Sequence, residues 1–171
     1  MPDRSHLENL WKGPSSGLPA AAYLAVLRAA DDLEASVADL LKPYGLSPTQ
    51  YNALRILRGA GEDGLACSKV GERMINRDPD ITRLLDRLEA RGLIARSRGK
   101  EDRRKIFATI SHSGLVLLKK LDPQVEDFIQ RLLGDVEENQ LRSAVEFLEE
   151  LRKNARASVK TAVQLEDRHT F

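Results

Sequence analysis

The chain has 171 residues, 42% of them hydrophobic and 31% charged, with a formal net charge of +1. That length gives one domain, or one domain with an appendage, and supports a real core. A single cysteine, Cys67, excludes an internal disulfide framework and fits a reducing compartment, and with neither an apolar run of about 18 residues nor an apolar leader the expected location is the cytoplasm.

Residues 1–18 begin polar, carry one amphipathic patch (Leu7, Leu10, Trp11) and close on GPSSG, which reads as a flexible joint. That pentapeptide matches the G-x-S-x-G pattern of a nucleophile elbow. No strand precedes it, so Ser15 is assigned no chemistry. Pro19 to Leu41 predicts a long helix with Leu24, Leu27, Leu33, Val37, Leu40 and Leu41 along one side, ended by Pro43 and Gly45. Ser47, Pro48 and Gln50 form a capping-box start for a second helix, whose apolar positions are Tyr51, Leu54, Ile56 and Leu57. Gly59, Gly61 and Gly64 predict a turn, and a short third helix follows from about Ser68 to Met74. Gly71 inside it costs roughly 1 kcal/mol against alanine, which suggests close approach of a crossing helix.

Asp78, Pro79 and Asp80 predict the next helix start, with Asp78 as the capping side chain, Pro79 at the first position and Asp80 near the positive dipole end. Ile81, Leu84, Leu85 and Leu88 make one apolar stripe. The opposite face shows Asp80, Arg83, Arg87 and Arg91, and Gly92 stops the helix. Two short runs, Leu93 to Ala95 and Ile106 to Ile110, flank Arg96, Arg98, Lys100, Arg103, Arg104 and Lys105 and predict a basic hairpin. Ser111 caps a long helix carrying Leu118, Leu121, Val125, Phe128 and Leu132, and Gly134 breaks it. A last helix carries Leu141, Val145, Leu148 and Leu151 and runs on to about Leu165.

Charge is unevenly placed along this order. Residues 1–72 hold 7 basic and 9 acidic side chains, 73–105 hold 11 and 6, and 106–171 hold 9 and 11. The positive field therefore sits on the helix and hairpin, the footprint of a nucleic-acid surface. Segment 73–105 has no Phe, Tyr or Trp on which single-stranded bases would stack, so duplex DNA is the better target. A guanidinium face on a half-buried helix suits the major groove, and a basic ribbon suits phosphates. His6, His112 and His169 are scattered, so no metal or other cofactor is expected, and no nucleophile, base and oxyanion donor can be assembled into an enzyme site.

The order helix, helix, turn, helix, strand, strand is that of a winged helix-turn-helix. With LSPTQYNALRIL at Leu46 to Leu57 and DITRLLDRLEARGLIARSRGKEDRRKIFATIS at Asp80 to Ser111, the chain resembles the MarR (multiple antibiotic resistance regulator) family of bacterial transcriptional regulators. The resemblance covers roughly Pro19 to Leu151. The resemblance fits a mostly α protein in which residues 1–18 read as a flexible arm, 46–110 as the winged helix-turn-helix, and 19–45 with 111–171, apolar over more than the reader unit can cover, as N- and C-terminal dimerisation helices, the alternative being an intramolecular helical bundle. It also implies a nucleoid-associated homodimer on a pseudo-palindromic operator, acting as a repressor released by a small phenolic or lipophilic effector. The DNA-binding set is Ser68, Lys69, Arg77, Asp80, Thr82, Arg83, Arg87, Arg103 and Arg104, with Asp102 supporting Arg104 in the wing. Asp80 is read as a first-turn acid rather than an acceptor from cytosine. Tyr44 and Tyr51 stand at the expected ligand pocket and serve equally well as core. Trp11 is similar to a feature of urate-responsive relatives, which carry an acidic residue where this chain has Asn52. The alternative readings are a thiol-based redox sensor through Cys67 and a helical protein-interaction module.

Overall fold

The computed structural model describes residues 17–75, 80–99 and 104–166. Their order is α1 (Leu18–Leu41), a 3-10 turn (Lys42–Tyr44), α2 (Pro48–Ala60), β1 (Leu65–Ala66), α3 (Cys67–Arg73), α4 (Ile81–Ala90), β2 (Ile94–Arg98), β3 (Ile106–Ile110), α5 (His112–Leu133) and α6 (Glu138–Glu166). This is the mostly helical winged helix-turn-helix that the sequence predicts. The chain forms two compact units, Met1–Glu126 and Asp127–Phe171.

In the first unit the local signals act as read. Ser47 caps α2, its Oγ accepting from the Gln50 N–H at 3.2 Å while Gln50 Oε1 accepts from the Ser47 N–H at 3.1 Å. Gly45 takes φ 62°, the left-handed turn that ends the preceding 3-10 segment. The core is built from Leu54 and Leu57 of α2, Val70 of α3, and Leu84, Leu85 and Leu88 of α4, closed by Leu41, Leu118 and Leu121 from the flanking helices. Of the apolar line on α1, Val37, Leu40 and Leu41 reach this core, whereas Leu27 and Leu33 remain about half exposed.

Four details depart from the sequence reading. First, the N-cap of α4 is Asp80, not Asp78: its Oδ1 accepts from the Arg83 N–H at 3.1 Å, so the helix starts at Ile81. Asp78 and Pro79 lie outside the described residues. Second, the first wing strand extends to Arg98, paired to β3 from Ile94↔Ile110 to Arg98↔Ile106. Third, the predicted turn after α2 runs into a two-residue strand, β1, antiparallel to β3 with Leu65↔Ala108 and Ala66↔Phe107, so the sheet order is β1-β3-β2. Gly64 makes that pairing possible, because a Cβ there would lie 2.5 Å from the Ala108 carbonyl oxygen. Fourth, α4 does cross at Gly71, yet a Cβ there would meet Ile81 at 3.7 Å, an ordinary contact. Close approach does not require the glycine.

Helix α5 starts on Ser111, whose Oγ accepts from the Gly114 N–H at 3.0 Å and donates to the Gly92 carbonyl at 2.7 Å. Pro123 lies inside this helix and supplies no N–H to its ladder. The residues on either side of it are tied to neighbours: Asp122 pairs with Arg58 Nη1 at 2.6 Å, and Gln124 Nε2 donates to the Tyr44 hydroxyl.

The second unit holds the end of α5 and the whole of α6. None of its described side chains is buried within it. Ile129, Leu132, Leu133, Val145, Phe147 and Leu148 are exposed by 45–62%.

Candidate nucleic-acid interface

Helix α4 has one face locked into the core through Leu84, Leu85 and Leu88, which fixes what its other face presents. That outer face carries Thr82, Arg83, Asp86 and Arg87, all exposed. Arg83 and Arg87 line an open cleft of about 280 Å³ together with Asp80, Leu84, and Ser47, Thr49 and Gln50 from the start of α2. The Arg83 side chain is 78% exposed and contacts Asp80 Oδ2 through Nε at 3.0 Å. Asp80 is thus a helix cap and a partner for Arg83 at once.

On α3, Ser68 and Lys69 are exposed, and Lys69 Nζ pairs with Glu72 at 2.8 Å. In the wing, Arg104 is exposed, and the Gly99 N–H donates to the Lys105 carbonyl at 2.8 Å across the base of the tip. Arg77, Asp102 and Arg103 lie outside the described residues. The described members of the sequence-predicted set are therefore carried by α3, α4 and the wing, with Arg83 and Arg87 of α4 lining one cleft.

Two arginines read from the sequence as part of the basic surface are structural. Arg91 donates from Nη1 to the Gly45 carbonyl at 2.6 Å and from Nη2 to the Tyr44 carbonyl at 2.9 Å, tying the end of α4 to the turn before α2. Its place four residues after Arg87 would put it on the reader face of an ideal helix. However, α4 ends at Ala90 and Arg91 is already its C-cap, so the side chain departs from that line. Arg96 on β2 donates to Glu89 from its backbone N–H at 3.1 Å, from Nε at 2.8 Å and from Nη2 at 2.6 Å, and reaches Asp86 at 2.5 Å. This fork bolts the wing to α4, and Arg96 draws the Glu89 carboxyl below the usual carboxylate range.

The other sequence-predicted residues are built into the fold. Tyr51 is buried in the core beneath Arg55, whose guanidinium lies 5.8 Å from the ring centre, and burial pushes its phenol up. Tyr44 is half-buried, with its hydroxyl engaged by Gln124. Cys67 is half-buried at the start of α3, and burial pushes its thiol up against the opposing pull of Arg96. A raised thiol pKa works against the thiolate that redox sensing needs.

Sequence reasoning missed three contributors. Ser47 and Gln50 read only as a helix start, and Thr49 between them carries no signal of its own, yet the three form one wall of the arginine cleft. Their capping box was the available signal, since it places the polar N-terminus of α2 at the surface. Asn52 accepts from the Ile75 N–H at 3.0 Å and so anchors the chain leaving α3. Among the described residues, no three His, Cys, Asp or Glu side chains are grouped to hold a metal ion, and no helix is long and apolar enough to cross a membrane.

Known proteins are similar to this chain in sequence and in fold. The profile of the MarR family matches residues 46–106. The chain is 28% identical over 113 residues to the HTH-type transcriptional regulator MhqR of Bacillus subtilis, covering 66% of this chain and 77% of that protein. Its fold superposes on a MarR transcription factor from Planctomyces limnophilus with a TM-score of 0.61 and 36% identity, over 78% of this chain and 96% of the other. The fold is also shared with MepR of S. aureus in its DNA complex, with a TM-score of 0.69 at 22% identity, over 77% of this chain and 97% of that one.

Proposed function

From the chain's membership of the MarR family, which makes it a DNA-binding transcriptional regulator and not an enzyme, we propose that it acts as a homodimeric repressor. Arg83 and Arg87 read the major groove of a pseudo-palindromic operator, Thr82, Ser68, Lys69 and Arg77 steady α4 and α3 on the backbone, and Arg103 and Arg104 of the wing reach the flanking duplex with Asp102 supporting Arg104. The observation that carries this reading is the pair of exposed guanidiniums at one cleft, on a helix whose opposite face is fixed in the core. A guanidinium meets guanine O6 and N7 with two donors, worth about 1–3 kcal/mol of discrimination.

Residues 19–45 and 111–171 form the dimer region. Two facts support it: Tyr23, Leu27 and Leu33 leave an apolar face of α1 exposed, and the second unit buries none of its described side chains by itself. A pair of helices with no interior needs a partner surface to stay folded. The protein works on the cytoplasmic nucleoid and leaves its operator when a small phenolic or lipophilic molecule binds beside Tyr44 and Tyr51.

Selection from random duplexes followed by footprinting tests the reading. The expected site has two half-sites about 10 bp apart. R83A and R87A each weaken it and relax base preference, and simple phenols and aryl carboxylates weaken it reversibly. A single half-site removes the dimer, and unchanged preference in both variants removes the reader face.

A further inference from the structure

We propose that Asp80 is a specificity-determining residue that presets Arg83 for base recognition; this rests on the reading of Arg83 as a groove-facing residue. A carboxylate on the reading edge of a DNA-binding helix repels phosphates, so its presence asks for a reason. The geometry gives one. Both carboxylate oxygens reach the same residue: Oδ1 accepts the Arg83 backbone N–H at 3.1 Å, and Oδ2 lies in ion-pair contact with the Arg83 Nε at 3.0 Å. The cap orients the carboxylate, and the carboxylate then biases the guanidinium toward one side of the helix start. Contact through Nε leaves both terminal amino groups, the pair that meets guanine O6 and N7 end-on. At 78% and 46% side-chain exposure the ion pair adds little to folding stability, so its consequence lies in orientation. Holding a long side chain in its bound rotamer removes an ordering cost that would otherwise be met on binding, equivalent to about three- to ten-fold in affinity for the matched base.

Asp80→Ser separates the two roles, because serine caps a helix as well as aspartate does but cannot hold the Arg83 Nε as a charged partner. Asp80→Asn is the second variant, keeping the size of the cap and losing the charge. Base preferences are measured by competition between duplexes for wild type, D80S, D80N, R83A and D80S/R83A. R83A first identifies the base position that depends on Arg83. At that position D80S and D80N are expected to lose about three- to ten-fold in discrimination, with other positions unchanged and affinity for random duplex equal or higher. In the R83A background, D80S then has no further effect on discrimination. Full discrimination in D80S and D80N, an equal loss at every position, or a further loss in the double variant overturns the proposal. R83A with wild-type preference at every position overturns the reader face itself, and this proposal with it.

Discussion

Adding one methyl group should destabilise the protein at Gly114 and stabilise it at Gly71. At Gly114, in the first turn of α5, an ideal Cβ would lie 2.3 Å from the Leu93 carbonyl oxygen and 2.7 Å from Ile110 Cγ1. The Leu93 oxygen also accepts the Ser111 N–H at 3.0 Å, so it cannot retreat without parting α5 from the wing. Overpacking of this kind costs about 1–3 kcal/mol, and a backbone clash partner puts G114A at the upper end. Subtracting the helix-propensity gain of about 1 kcal/mol leaves a net loss of about 2 kcal/mol. At Gly71 the new Cβ meets Ile81 at 3.7 Å without compression, so G71A keeps the full gain of about 1 kcal/mol. For a chain of this size, thermal unfolding followed by circular dichroism should show Tm falling by about 4–8 °C in G114A and rising by about 2–4 °C in G71A. Both are compared with wild type at one fixed concentration, because assembly shifts Tm. G71A melting below wild type, or G114A melting with it, refutes the reasoning.

Other consequences divide the basic segment by what each side chain holds. K69A should lower the slope of log affinity against log salt by about one unit, as a lost phosphate contact does, and leave Tm alone, because its ion pair with Glu72 is exposed. R91A should do the reverse, losing about 1 kcal/mol with an unchanged salt slope, because its two hydrogen bonds go to the Gly45 and Tyr44 carbonyls. Glu89 ionises more readily when folded because Arg96 donates to it. Its contribution to stability is therefore present above the ordinary carboxylate pKa of about 4.3 and is lost as pH falls through the lowered folded value. Acid titrations of unfolding should show this loss in wild type and not in E89Q. Cys67, with its thiol raised by burial, should be alkylated more slowly at neutral pH than a free cysteine and at the free rate once unfolded, and C67S should bind DNA as wild type does with or without peroxide.

The elements were legible wherever a local chemical signal coincides with a long apolar period. The capping box at Ser47 and Gln50, the stripe from Ile81 to Leu88 and the Ser111 cap give α2, α4 and α5 before any tertiary contact is considered. Strand β1 was not legible, because two residues carry no periodicity and their pairing depends on a partner some forty residues away. The same limit explains the arginines. Sequence spacing assigns a face only while the helix continues, and Arg91 stands where α4 has ended. Arg96 falls at a wing position open to phosphates as readily as to acids, and only the fold shows Asp86 and Glu89 beside it. The α2 wall of the arginine cleft was hidden for a related reason: the capping residues were accounted for locally, and nothing local says that α4 begins next to them.

Grafting the reader onto another regulator is constrained by where its interior residues come from. A transplant cut at residues 46 and 110 would keep α2, α3, α4 and the wing but leave behind Leu41, Leu118 and Leu121, three fully buried plugs. Each socket would open to water at about the cost of a buried leucine truncated to alanine, roughly 2–5 kcal/mol. A working chimera must therefore carry these three side chains, or equal volumes on the host's helices. The same coupling means that a substitution on the outer helices which tilts Leu118 or Leu121 can alter operator choice with no residue of the reading face changed.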